Sequence, residues 1–199
     1  MTKKIKNFGL ALIGAFTLLS FTMAVSGTDY TILTDKSNVK WTGYKPAGEH
    51  KGLVNIKSGT LNIQDDLIQT GNFVLDMPSI KVTDSESPKL LKHLKGEDFF
   101  DVKKYTTSTL VIDSSRSVSS DTSGKHTLEI FGDLTIRGKT LPITFTAKNT
   151  AKTDNYMFYT ANITLDRTKY GIVYKSSLLG DAMIKDNFDL AIKIIAKKN

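Results

Sequence analysis

The 199-residue sequence contains no cysteine. A disulfide framework is thereby excluded, and stability has to come from packing alone. The same absence removes the acceptor that a lipid anchor would need at a processing site. Histidine is almost as scarce. His50, His93 and His126 are the only three, their spacing is not that of metal ligands, and no metal site is expected. There is no G-x-S-x-G elbow and no phosphate-binding loop, and the carboxylates of DLTIRG and EDFFD lie on turns without an evident partner. Nothing in the residues argues for catalysis, and no cofactor is expected. The formal net charge is +7, but the lysines are scattered. Without a basic cluster interleaved with aromatics, a nucleic-acid partner is a poor fit.

Long apolar runs are missing too, with one exception. MTKKIK is a basic stretch, Phe8 to Phe21 (FGLALIGAFTLLSF) is uncharged and apolar, and Ala24-Val25-Ser26 supplies small residues before Gly27. That is the pattern of a secretory signal peptide, too short and wrongly flanked for a stable membrane span. Residues 1–26 are therefore expected to be a leader, cleaved near Ser26-Gly27, and 27–199 a single domain in the periplasm or outside the cell.

What the rest of the chain has is alternation, the signature of strands with one buried face. Val39, Trp41 and Gly43 alternate with polar neighbours, as do Phe73, Leu75 and Met77. Leu128, Ile130, Gly132, Leu134 and Ile136 form an even-numbered stripe, which Leu141, Ile143, Phe145 and Ala147 answer after the turn at Arg137-Gly138-Lys139. Met157, Tyr159, Ala161, Ile163 and Leu165 follow a turn at Asp154-Asn155, and Phe188, Leu190, Ile192 and Ile194 close the series. Gly59, inside LVNIKSGTLNI, predicts a bulge or sharp bend in a long strand. About eight such strands indicate an antiparallel all-β structure. A sandwich and a closed barrel both fit, and strands of roughly ten residues favour the barrel. One helix interrupts them. Ser87 is placed to cap it, Pro88 to open it and Gly96 to stop it, with Leu90, Leu91 and Leu94 on one face. So short a helix needs an apolar surface beneath it, and Phe99-Phe100 extends its greasy face.

Three segments resemble a known family. HLKGEDFFDVKKY, His93 to Tyr105, is similar to the His-Leu…Asp-Phe-Phe-Asp-Val-x-Lys-Tyr signature of the YceI-like polyisoprenoid-binding proteins. FGDLTIRGKTLPITF, Phe131 to Phe145, resembles their Gly-Asp-Leu-Thr-Ile-Arg-Gly segment, and LDRTKYG, Leu165 to Gly171, a third. Thr106 stands where the family usually has proline. The match runs from Asp29 to Lys197 in the family's order. It implies an eight-stranded, lipocalin-like antiparallel barrel with a short helical cap, exported to the periplasm, holding a long isoprenoid chain and having no catalytic centre.

On that reading Trp41, Phe73, Leu75, Leu94, Phe99, Phe100, Leu134, Phe145, Ile163 and Ile192 are the expected apolar ligand lining, with Lys40, Thr144 and Lys193 facing water. Phe99 and Phe100 allow two roles, a lid over a lipid tunnel or a plug that finishes the core. His93 either hydrogen-bonds within the cap or meets a headgroup, the first being favoured. Arg137 is read as structural, and Arg167 is carried as a headgroup candidate. The expected partner is an isoprenoid lipid or isoprenoid quinone, and a homodimer is left open. A structural or stress-related envelope protein with a packed interior, or a lipid-modifying hydrolase or isomerase, are the alternative functions.

Overall fold

Two-residue turns set the register of the long hairpins. A computed structural model of the chain describes residues 27–120, 122, 125–176 and 183–199, so the expected leader lies outside the described residues. Strands β3 (Gly48–Gln64) and β4 (Leu67–Val82) are joined by Asp65 and Asp66, at φ 52° and 63°. Strands β6 (His126–Ile136) and β7 (Lys139–Lys152) are joined by Arg137 and Gly138, at φ 52° and 71°. Positive φ at both central residues gives the turn whose twist matches the strands it connects. The hairpin expected at Arg137-Gly138 is therefore present, and the Asp65-Asp66 turn is its counterpart at the opposite end of the molecule.

The remaining strands are β1 (Thr28–Ile32), β2 (Asn38–Lys45), β5 (Thr107–Ser120), β8 (Tyr156–Asp166) and β9 (Asn187–Lys198). Following hydrogen bonds from β2 through β9, β8, β7, β6, β5, β4 and β3 leads back to β2, so eight antiparallel strands close a barrel. β1 is the additional strand. It pairs with β3 and β9, the same neighbours as β2. The two thus occupy one place in the wall in succession. Between them the chain steps aside at Leu33–Ser37, where the Ser37 amide donates to Leu33 O and the Ser37 hydroxyl accepts from the Ile195 amide.

The stripes expected from alternation face inward. Leu128, Ile130, Gly132, Leu134 and Ile136 are all buried, as are Met157, Tyr159, Ala161, Ile163 and Leu165. Lys40, Thr144 and Lys193 are exposed, as period-two geometry requires. The bend expected at Gly59 falls beside it. Register shifts on the β3–β4 ladder lie between Leu53 and Asn55, Ile56 and Ser58, and Asn62 and Ile63, while Gly59 stays paired with Phe73. Its missing side chain serves a close approach: a Cβ there would lie 2.7 Å from Cγ1 of Ile32.

The seam between β7 and β8 is incomplete. The β7–β8 ladder runs from Ala147↔Ala161 to Lys152↔Met157. β7 stays paired to β6 from Lys139, and β8 to β9 as far as Asp166. Residues 139–146 and 162–166 therefore form two neighbouring edges with no ladder between them. Pro142 lies on the first. Proline has no N–H to give a central ladder and belongs on such an edge.

Helix α1 (Pro88–Lys95) crosses one end of the barrel, following β4. Pro88 and Gly96 bound it as expected, but Ser87 makes no side-chain capping hydrogen bond. Its buried Leu94 joins Trp41 and Ile80 in a small core distinct from the main one. Gly52 makes room for Trp41, since a Cβ there would fall 2.4 Å from the indole ring. Phe99 and Phe100 pack against both cores, so they are the join between barrel and cap.

Candidate functional site

The inward stripes do not all bury completely. Phe73 and Leu75 on β4, Leu110 on β5, Ile143 and Phe145 on β7 and Leu190 and Ile192 on β9 lie on inward positions yet are only partly covered. The reason is a cavity of about 100 Å³ between them. That is several times the ~10–15 Å³ one water needs, but a water also needs two to four polar partners. The wall offers few. Beyond aliphatic and phenylalanine side chains, only Ser108, Thr109, Tyr159 and Thr160 line it, and no charged residue does so among the described residues. Such a space favours an apolar occupant, held by burial and not by directed bonds.

Phe73, Leu75, Leu134, Phe145, Ile163 and Ile192, expected from the sequence as lining, all border this cavity. Trp41, Leu94, Phe99 and Phe100 do not; they lie in the cap. Leu190 connects the two regions, since it borders the cavity and also packs on the Trp41–Leu94 core. Tyr159, on the part of β8 near the β7–β8 turn, also lines the cavity.

The cap is held by two arginines acting on backbone carbonyls. Arg167, on a short 3-10 turn at Arg167–Tyr170, is only 2% exposed. Its Nε donates to Lys185 O at 3.1 Å, Nη1 to Ile172 O at 2.7 Å, and Nη2 to Ile184 O at 3.0 Å and to Asp186 Oδ1 at 3.3 Å. Its guanidinium also lies 5.5 Å from the centre of the Phe99 ring, within cation–π range. Burial lowers the pKa of this guanidinium from its ordinary value, and Asp186 and Asp166 oppose that shift. Arg137 reaches from the β6–β7 turn, donating to Gly171 O at 3.0 Å and Glu97 O at 3.1 Å. It therefore ties the segment after α1 to the segment after β8, the structural role expected of it. His93 meets Asp98 Oδ2 through Nδ1 at 2.6 Å and stacks on Tyr174. Neither His93 nor Arg167 lines the cavity, and the polar contacts of both are made inside the cap.

Alternation alone puts Tyr159 on an inward stripe. In the structure this tyrosine is 4% exposed and lines the cavity, and its buried hydroxyl has the Asn149 side chain as a polar neighbour. Burial raises its phenol well above the usual range. Alternation reveals which way a side chain points, but not whether its polar tip is satisfied. No described residues form a group of three or more potential metal ligands, and no described helix is long and apolar enough to cross a membrane.

A closed antiparallel barrel, capped at one end and hollow along an uncharged interior, defines a lipocalin-like binding fold. The chain belongs to the YceI-like family: the YceI-like domain model matches residues 30–196. It is 31% identical over 156 residues to a UPF0312 protein of Vibrio vulnificus, covering 74% of each chain. Among solved structures it is similar to Burkholderia cenocepacia BcnA, at a TM-score of 0.69 and 15% identity over 82% of this chain and 98% of that one. It is also similar to a polyisoprenoid binding domain from Saccharophagus degradans implicated in plant cell wall breakdown. That match has a TM-score of 0.67 and 9% identity, over 85% and 98% of the respective chains. At such identities the likeness is one of fold.

Proposed function

We propose that this protein is a non-catalytic carrier or store for a long apolar lipid of the isoprenoid class, a prenyl quinone among the candidates. The observation that carries this reading is the barrel's interior, hollow and bordered by no charged residue among those described. Each five-carbon isoprene unit buried there contributes roughly 3–4 kcal/mol gross, at about 0.8 kcal/mol per CH₂. A few units would outweigh the entropy of ordering the chain. The polyisoprenoid-binding neighbour and the family membership support the same class of ligand. The lining residues from Phe73 to Ile192 would contact the chain, and the cap would close one end over it. The leader-like residues 1–26 support export to the periplasm or beyond, with 27–199 as the working domain.

Native mass spectrometry of the protein purified from its own cells tests the reading. A retained lipid with a prenyl tail is the expected result. Protein that emerges empty, and whose thermal midpoint is unmoved by saturating prenyl lipids, would instead mark the interior as a loosely packed core, because a ligand specific for the folded state must raise the midpoint.

A further inference from the structure

A cavity that exchanges its contents needs a route through the wall, and neither end of the barrel suits one. At the far end Leu128, Met157 and Ala196 are at most 1% exposed and none borders the cavity, so a packed layer lies across it. At the other end Tyr170 and Ile172 join the main core, and Arg137 and Arg167 hold the surrounding carbonyls. Opening there would strip hydrogen bonds from both arginines.

Sideways, strands part most easily where no ladder joins them. From Gly71 towards Leu67, β4 has no paired residue on β5. Ser115 Oγ nevertheless accepts from the Ile68 amide there at 2.9 Å, and the inward Ile68 and Ile112 are 3% and 4% exposed. Where β1 hands over to β2, the Leu33 amide donates to Ile195 O and the Ile195 amide to Ser37 Oγ, beside Ile56 and Ile194 at 6% exposure each. Both places are packed shut. Between residues 139–146 of β7 and 162–166 of β8 the ladder is also absent, and nothing comparable closes it. Here the inward Ile143 and Phe145 are only partly covered and, with Ile163, border the cavity.

Resting on the lipid-binding reading, we propose that the lipid tail enters and leaves the barrel sideways, between β7 and β8, while the cap and the far end stay closed. Passage there displaces aliphatic and phenylalanine side chains and breaks no ladder, so it is a local opening and not an unfolding. A prenyl tail suits such a route, being apolar throughout its length. A charged head does not have to cross the wall, where an unpaired ion would be costly. It can remain outside, beside the exposed Thr144, Asn162 and Thr164.

The chain's lack of cysteine makes the route testable. Thr144→Cys and Asn162→Cys, at exposed positions off the cavity, flank the seam and are bridged with a reductant-cleavable bismaleimide. Lys40→Cys and Ala191→Cys, exposed and directly paired on the β2–β9 ladder, form the control pair. The probe is geranylgeraniol, loaded from and released to phosphatidylcholine vesicles. Bridging the seam should slow loading and release together, each by roughly tenfold or more. Reductant should restore both rates, and bridging the control pair should change neither. Unchanged rates in the bridged seam variant would overturn the route, as would equal slowing by the control bridge. Slower loading with faster release would also overturn it, because only the bound state, and not the passage to it, would then depend on the seam. Thr146→Cys with Asn162→Cys, nearer the paired ladder, repeats the test if the unbridged first pair melts lower than wild type. Wild type that binds no geranylgeraniol at equilibrium is a separate outcome: it removes the lipid-binding reading itself, and the route with it.

Discussion

The cap and the cavity are built from opposite materials. In the cap, the arginines are matched to acceptors: Arg167 donates to the carbonyls of Lys185, Ile172 and Ile184 and to Asp186, and Arg137 clamps Gly171 and Glu97. In the cavity almost nothing is directed. Inward side chains such as Phe145 and Ile192 keep part of their surface uncovered, although covering it would add stability. One region has been completed as structure, and the other has been left with apolar surface to offer. The contrast separates residues that hold the molecule from residues that can hold a guest.

Substitutions sharpen the contrast, starting with the largest expected effect. Arg167→Met should destabilise the fold by about 3–5 kcal/mol, because it removes the buried donors to the Lys185, Ile172 and Ile184 carbonyls and the cation beside Asp186. Chemical denaturation of the unliganded variant measures it, and a loss below about 1 kcal/mol would break the assignment of Arg167 to the cap. Phe99→Ala should follow, at about 2–4 kcal/mol, since the ring lies under the guanidinium and packs on both cores. Its effect on prenyl-lipid affinity, measured alongside, decides between plug and lid. Phe145→Ala should be gentler on the unliganded fold, at about 1–2 kcal/mol, yet weaken prenyl-lipid binding more than Phe99→Ala does. The reverse ranking in a binding titration would merge the two regions. At the bottom of the scale, reductant should leave the melting midpoint where it was, because there is no disulfide to break.

Much of this was legible beforehand, for a reason that applies to barrels generally. Each strand needs one apolar face, so the stripes from Leu128 to Ile136 and from Met157 to Leu165 could be assigned by counting in twos. Arg137-Gly138 announced its turn through glycine. Asp65-Asp66 makes the same turn without one, and aspartate's tolerance of positive φ is a fainter signal. The division of one wall position between β1 and β2 was not visible, because Leu33–Ser37 is an ordinary polar-flanked stretch whose detour is fixed by pairing with β9. The partners of the two arginines escaped for a different reason: they are mostly backbone carbonyls, which every residue possesses and no sequence pattern marks. The site was half legible. Lining residues on strands followed from alternation, whereas Trp41, Leu94, Phe99 and Phe100 share the same apolar character but are drawn into the cap by α1.

The missing stretch of ladder between β7 and β8 gives the wall a direction of compliance. Along the β3–β4, β5–β6, β6–β7 and β8–β9 ladders, widening the barrel would stretch backbone hydrogen bonds, and those bonds act as hoops. Along residues 139–146 and 162–166 no such hoop is in place, and the edges are kept together by side chains such as Phe145 and Ile163, which also border the cavity. A guest thicker than the empty space would find room there by parting aliphatic contacts, leaving the paired ladders whole. Mechanically the barrel is a sleeve with a slit cut part of its length, able to yield along that slit.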